Sequence, residues 1–224
     1  MIVLVHSGIC DARMWDGFDL PGAVRHEMRG FGDTPMPPAG SYSDADDLVG
    51  RLSEPAALVG ASFGGQVCLE VAARQPELVS RLVLLDARVP DHDFSEEILE
   101  YDRREEELVE EGELRAAAAL TADFWVAEGS CRDRVIEMQE RAYELQLESE
   151  AEPLETESID LGAVRAPTLV AVGELDKADF RQIAERLARE IPNAEHVVIP
   201  GAGHLPSLER PEETARILKA FLNL

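Results

Sequence analysis

The segment 56–65 reads AALVGASFGG: an apolar run, then Gly60-Ala61-Ser62-Phe63-Gly64, then a helical pattern. A G-x-S-x-G between a strand and a helix imposes a sharp turn whose serine is strained, with small residues on either side letting the two elements approach. The Ser62 hydroxyl then projects beyond the sheet edge as a candidate nucleophile. A serine hydroxyl is weak at neutral pH and needs a base to take its proton as the new bond forms. Of the five histidines, His204 is best placed, because it lies in IPGAGHLPSLERPEE, in a Gly-rich loop between a strand ending at Ile199 and a helix starting near Pro211. Reacting groups gather in loops at the carboxyl edge of a parallel sheet. His26 and His196 belong to strand patterns and His92 to a helical stretch, so these three read as structural.

The third requirement is a carboxylate that holds the imidazole in one tautomer and stabilises its cation. Asp176, just past TLVAV in VGELDKADF, is the first candidate; Asp86, ending RLVLLD, holds the analogous place one strand earlier. The loop around Asp176 precedes a helix and leads towards the His204 strand, which favours Asp176. The order Ser62, Asp176, His204 then describes a triad for acyl transfer.

These residues need a scaffold of buried strands. Short apolar runs at 2–5, 23–26, 56–59, 81–85, 168–172 and 196–199 alternate with helical patterns at 65–74, 179–190 and 211–224. That alternation implies an α/β fold: an open, mostly parallel sheet of about six strands flanked by helices. Trp15 and Phe18 are expected to pack the first helix onto this sheet. The interval 89–166 breaks the pattern. It is dense in Glu, Ala, Leu and Arg, shows no clear strand, and is punctuated at Gly112, Gly129 and Pro153, so three helices are expected near 94–111, 113–127 and 131–147. The domain reading is a core of residues 1–88 and 161–224 with a helical cap inserted as residues 89–160. Phe124 and Trp125, inside that insertion, could line an acyl pocket, but core packing is the favoured reading for them.

The chain has 224 residues, 45% of them hydrophobic, with 21 basic against 45 acidic side chains and a formal net charge of −24. Such charge repels phosphate backbones and anionic headgroups, so neither nucleic acid nor a membrane is an expected partner. No apolar run approaches the ~20 residues of a bilayer span, and Met1 leads straight into a strand pattern without a basic leader; a cytoplasmic location is expected. Cys10, Cys68 and Cys131 lack C-x-x-C spacing, which argues for free thiols rather than a disulfide framework or a zinc site. Cys68 should be buried on the helix after Ser62, while Cys10 is the thiol expected nearest to substrate. Residues 91–160 hold 24 acidic and 6 basic side chains, a net of −18.

Five motifs in order, LVHSGICDARMWD, MRGFGDTPMPP, GASFGG, VRAPTLVAVGELD and IPGAGHLPSLERPEE, make the chain resemble the α/β-hydrolase superfamily, as an esterase-like serine hydrolase with a helical cap. The resemblance runs from the family's third core strand to its C-terminal helix, so the N-terminal hairpin of many members is not expected. It implies an oxyanion hole from the backbone N–H of Gly8, two residues after His6, and of Phe63, the residue after the nucleophile. The family usually has Gly after this histidine, where Ser7 stands here. The loop RGFGDTPMPP is a family hallmark that shapes a tight connection beside the pocket.

The resemblance implies a serine hydrolase acting on a small, neutral carboxylic ester or lactone through an acyl-enzyme, with no metal or organic cofactor and a homodimer left open. A serine at the nucleophile position argues against the branches that use aspartate there, haloalkane dehalogenases and epoxide hydrolases. Carbon–carbon bond hydrolases and enol-lactonases use the same triad, so they stay as the alternative, together with a slow-turnover ligand sensor. The six arginines of residues 91–160 bear on that choice, since one turned inward would bind a substrate carboxylate.

Overall fold

The computed structural model describes residues 1–127, 131–154 and 156–224. Its strands are β1 (Ile2–Val5), β2 (Ala23–His26), β3 (Ala39–Tyr42), β4 (Ala56–Ala61), β5 (Val79–Leu85), β6 (Glu150–Pro153), β7 (Thr168–Gly173) and β8 (Ala194–Ile199). Its helices are α1 (Asp44–Val49), α2 (Phe63–Arg74), α3 (Glu96–Glu110), α4 (Leu114–Trp125), α5 (Arg132–Leu147), α6 (Ala178–Glu190), α7 (Pro206–Glu209) and α8 (Pro211–Leu222), with a short 3-10 turn at Ala12–Trp15.

Among the described residues, β2-β1-β4-β5-β7-β8 form one sheet in that order, with every neighbouring pair parallel. The central strands β4 (AALVGA) and β7 (TLVAVG) are buried at every residue, as a sheet covered on both faces requires. Successive strand residues feed opposite layers. Leu58, Leu82, Leu84, Val170 and Val172 pack with α2 and α6 on one face, whereas Val59, Val83, Leu85, Leu169 and Ala171 pack with Trp15, Phe18 and α8 on the other. Helix α6 buries Phe180, Ile183, Ala184 and Leu187, the spacing of a single helical face. The edge strands carry Arg25, Glu195 and His196, which discourages pairing with another sheet.

The expected six strands and the helices at 94–111, 113–127 and 131–147 correspond to observed elements shifted by a few residues at most; the break expected at Gly129 lies outside the described residues. Two differences stand out. The segment from Ala12 to Trp15 is a 3-10 turn rather than a helix proper, capped by the Asp11 side chain. The stretch read as lacking a strand contains β6, which pairs in parallel with β3 more than a hundred residues earlier. Both partners, AGSY and EAEP, are polar and largely exposed, so no apolar alternation announces them.

Strand order reverses around β1: its successor β2 lies on one side and β4 on the other, with Val5 aligned to both His26 and Gly60. Loops leaving the carboxyl ends of β1 and β4 therefore diverge and open a crevice, the place where ligands bind in open α/β sheets.

Beside that crevice, His26 is buried with neither ring nitrogen hydrogen-bonded. Burial, with positive Arg51 nearby, lowers its pKa to about 4. The unfolded chain thus takes up a proton near pH 6.5 that the folded chain refuses until about 4, so this group's contribution to stability is lost as pH falls through that window. Urea unfolding at pH 7 and pH 5 should show that His26→Gln loses less stability on acidification than wild type, by on the order of 2 kcal/mol. Equal losses would mean that His26 is protonated in the fold.

Candidate active site

Ser62 occupies the turn between β4 and α2 at φ 50 and ψ −115, a conformation that side-chain-bearing residues rarely adopt. Glycines make the turn feasible. A Cβ at Gly60 would lie 2.3 Å from the Gly64 carbonyl oxygen, and one at Gly64 would lie 2.2 Å from that of His6. The turn is pinned through Ser62 itself, whose N–H donates to Leu85 O (2.9 Å) and whose carbonyl accepts from the N–H groups of Gln66 and Arg88 (3.1 Å each).

The structure brings Ser62, His204 and Asp176 together. His204 Nε2 is 2.9 Å from Ser62 Oγ, and its Nδ1 is 3.0 and 3.1 Å from the two Asp176 carboxylate oxygens. All three are buried. Burial by itself raises the Asp176 carboxyl, but the neighbouring His204 and the Lys177 N–H (2.7 Å) outweigh it and hold the group below the usual carboxylate range. The His204 ring packs against both Trp125 and Phe180, at centroid separations of 4.5 and 4.3 Å, so it is held by packing as well as by hydrogen bonds. An imidazole held this way can accept the Ser62 proton at Nε2 while Nδ1–H stays directed at Asp176.

Asp86, the other candidate acid, is fully buried at the end of β5 but does not hydrogen-bond His204. Its Oδ1 accepts the Gly173 N–H (2.7 Å), which ties the end of β5 to the strand end from which Asp176 departs. Burial and then the negative Asp176 beside it push the Asp86 carboxyl well above its ordinary value, the opposite direction from Asp176. Ligand atoms of Asp86, Asp176 and His204 lie within 4.8 Å of one another. An Asp86 carboxyl whose charged form is disfavoured and an imidazole already engaged on both nitrogens make a poor donor set for a metal ion.

A carboxylate that sequence reasoning passed over completes the arrangement. Glu209 Oε2 accepts the Gly203 N–H (2.7 Å) and Oε1 accepts the Leu205 N–H (3.1 Å), gripping the backbone on both sides of His204. Its position in HLPSLERPEE, five residues beyond the histidine at the end of α7, was the available signal.

The loop after β1 is held from below by His6, whose Nδ1 contacts Ser7 O (2.9 Å) and whose Nε2 accepts the Met28 N–H (3.0 Å). Ser7, in the place of the family's usual glycine, is buried, and its hydroxyl lies 3.4 Å from the Ile9 N–H. Gly8 adjoins the first residue of α2: a Cβ on Gly8 would lie 3.2 Å from Phe63 Cβ. Neither the Gly8 nor the Phe63 N–H has a partner among the described residues.

Ser62, His204, Gly8 and Phe63 border a cavity of about 330 Å³, whose remaining wall includes Phe31 of the RGFGDTPMPP loop and Trp125. Cys10 does not line it. That thiol is fully buried on the opposite side of the loop, among Met14 and Trp15, and burial raises it far above its ordinary pKa. Cys68 is buried as expected. The six arginines of residues 91–160 all pair at the surface: Arg103 with Glu96 and Glu100, Arg104 with Glu107, Arg115 with Glu140, Arg132 with Asp123, Arg134 with Asp16 and Arg141 with Glu144.

The profile of the Alpha/beta hydrolase family matches residues 2–217. The chain is 28% identical to a 2-hydroxymuconate semialdehyde hydrolase of Pseudomonas putida, over 89% of this chain and 76% of that protein. It is 25% identical to carboxylesterase YbfK of Bacillus subtilis, over 99% of this chain and 79% of that protein. Among solved structures it superposes on a thermophilic esterase from Thermogutta terrifontis with a TM-score of 0.78 and 28% identity, covering 99% of this chain and 89% of the other.

The two acids separate by substitution. Asp176→Asn should lower turnover on an activated ester by on the order of 10⁴-fold, because an amide favours the wrong imidazole tautomer. Asp86→Asn keeps an acceptor for the Gly173 N–H and should cost far less. Steady-state kinetics of both variants giving the reverse order would move the acid to the end of β5.

Proposed function

The chain belongs to the Alpha/beta hydrolase family and is a hydrolase, and from that premise we propose that it cleaves a small carboxylic ester or lactone by way of an acyl-serine. The observation that carries the reading is the hydrogen-bonded series Ser62–His204–Asp176 at the border of a cavity of about 330 Å³. Ser62 attacks the carbonyl carbon as His204 Nε2 takes its proton, and Asp176 stabilises the imidazolium so formed. The Gly8 and Phe63 N–H groups stabilise the oxygen as it gains charge. His204 then protonates the leaving alkoxide, and a water molecule, deprotonated by the same nitrogen, attacks the acyl carbon and releases the acid. Every proton passes through a single nitrogen, so the proposed chemistry calls for no cofactor. Helices α3 to α5 act as the cap over this site.

The enol-lactonase and carbon–carbon hydrolase alternatives were tied to an inward arginine from residues 91–160. The surface pairing of all six favours the ester reading.

Wild type should gain the mass of one fluorophosphonate adduct per chain and turn over an activated aryl ester repeatedly. Ser62→Ala should neither label nor hydrolyse while keeping its fold by circular dichroism; labelling at the wild-type rate would remove Ser62 from the mechanism. A single equivalent of product followed by a stall would instead support a slow-turnover sensor.

The net charge of −18 over residues 91–160 should also bias selection. Its field is screened over ~10 Å at 0.1 M salt, so kcat/KM for a carboxylate-bearing ester should start below that of its neutral match and rise selectively with ionic strength. A preference for the anionic ester that weakens with salt would contradict a repulsive cap.

A further inference from the structure

The cavity wall contributed by α3, α4 and α5 has a polar centre that the proposed mechanism does not use. Tyr101 and Tyr143 hydroxyls both donate to Oε1 of Glu105, the first at 3.1 Å. Thr121 stands between them, 3.2 Å from the same oxygen. Burial, reinforced by the Glu105 charge, raises both phenols above their ordinary pKa, so their protons stay in place. Three hydroxyls thus converge on one carboxylate oxygen. The other oxygen, Oε2, has no protein partner among the described residues, and Glu105 lines the cavity.

A second acceptor stands in the same wall. Gln139, on α5, is 5% exposed, and its Oε1 is buried without a hydrogen bond. A buried unpaired acceptor is destabilising, so Gln139 Oε1, together with the half-buried Glu105 Oε2 on the same cavity, favours an occupant that brings donors.

The charge balance narrows the choice among donors. The cation in the wall is Arg88, which is exposed at the mouth, with its guanidinium 5.3 Å from the centre of the Phe94 ring. Asp102, also exposed and lining the mouth, interacts with it: burial raises the Asp102 carboxyl and Arg88 opposes the rise. The Arg88 and Asp102 charges offset each other, and the Glu105 charge is left over. The rings of Phe31, Phe94, Trp125 and Phe180 line the same cavity, and aromatic faces attract cations.

We propose that this cavity selects an ester whose acyl or alcohol part ends in a protonated amine, with Glu105 Oε2 as its charge partner and Gln139 Oε1 as a second acceptor. The assignment rests on the reading of Ser62 as nucleophile, since it places the amine at the far end of the substrate from the scissile carbonyl. A neutral methyl end leaves both acceptors unpaired, and a carboxylate end faces the Glu105 charge.

The test uses matched phenyl esters of one linear acyl chain ending in ammonium, methyl, hydroxyl or carboxylate. Calorimetry on the Ser62→Ala protein gives Kd for the intact esters, and kcat/KM is measured on wild type. The ammonium ester should bind about tenfold more tightly than the methyl ester, with the carboxylate ester weakest. Adding Glu105→Gln should shrink the ammonium-to-methyl ratio to about twofold or less, and adding Gln139→Leu should reduce it in the same direction by a smaller factor. Methyl or hydroxyl esters that bind as tightly as the ammonium ester, or a preference for the carboxylate, overturn the assignment. The expected binding order without turnover or fluorophosphonate labelling of wild type supports this inference and faults the role given to Ser62.

Discussion

Ser62 can stand at φ 50 only because the backbone around it comes together more closely than side chains allow. Gly60, Gly64 and Gly65 each sit where an added Cβ would lie under 3 Å from another atom: the Gly64 carbonyl, the His6 carbonyl and the Ala87 side chain in turn. A residue in such a region costs on the order of 1–3 kcal/mol and persists where its surroundings over-determine it. Here they do so through three backbone hydrogen bonds at Ser62 and through β4 and β5, buried strands on either side of the turn. The same close approach sets Gly8 against Phe63, so the Ser62 hydroxyl and two unengaged N–H groups come from one packing event.

His204 is positioned by a different device. Its loop carries little regular structure, and its rigidity comes from side chains that hold backbone or ring: Glu209 on the N–H groups flanking His204, Asp176 on Nδ1, and Trp125 and Phe180 against the ring. Gly173 contributes by absence of a side chain, since a Cβ there would lie 2.0 Å from the Gly203 carbonyl oxygen. Two acids at adjacent strand ends are pushed in opposite directions: Asp176 down by the His204 ring and by donors that favour its ionised form, Asp86 up by burial next to Asp176. Environments that push neighbouring carboxyls in opposite directions assign their roles without any difference in residue type.

The helical segment contributes side chains to the site. Trp125, at the end of α4, contacts the His204 ring, and Glu105, Thr121 and Tyr143 join α3, α4 and α5 through one buried polar node. The segment's arginines pair at the surface, three of them with a carboxylate three residues away: Arg103 with Glu100, Arg104 with Glu107 and Arg141 with Glu144. Exposed pairs of this kind contribute at most about 1 kcal/mol each. The node is therefore the feature of these helices that couples their packing to the cavity.

The sequence alone determined the parts governed by local rules. A G-x-S-x-G after an apolar run marks the turn because few residues tolerate it, the central strands β1, β4, β5 and β7 are legible because they are largely apolar on both faces, and helices near 94–111, 113–127 and 131–147 follow from composition and breakers. Asp176 could be preferred to Asp86 from the course of its loop. Other features depend on contacts between residues far apart in the chain, which periodicity does not encode. The polar pairing of β3 with β6 has no apolar signature, and Glu209 looks like any acid near a helix end until its oxygens meet the Gly203 and Leu205 N–H groups. Cys10, near the site in sequence, is buried in the opposite layer with Met14 and Trp15, a contact that its place in the chain does not announce. Whether the acidic segment presents its charge outward or into the cavity was decided by which arginines found carboxylates at the surface. That choice left Glu105, held by Tyr101, Thr121 and Tyr143, lining the cavity.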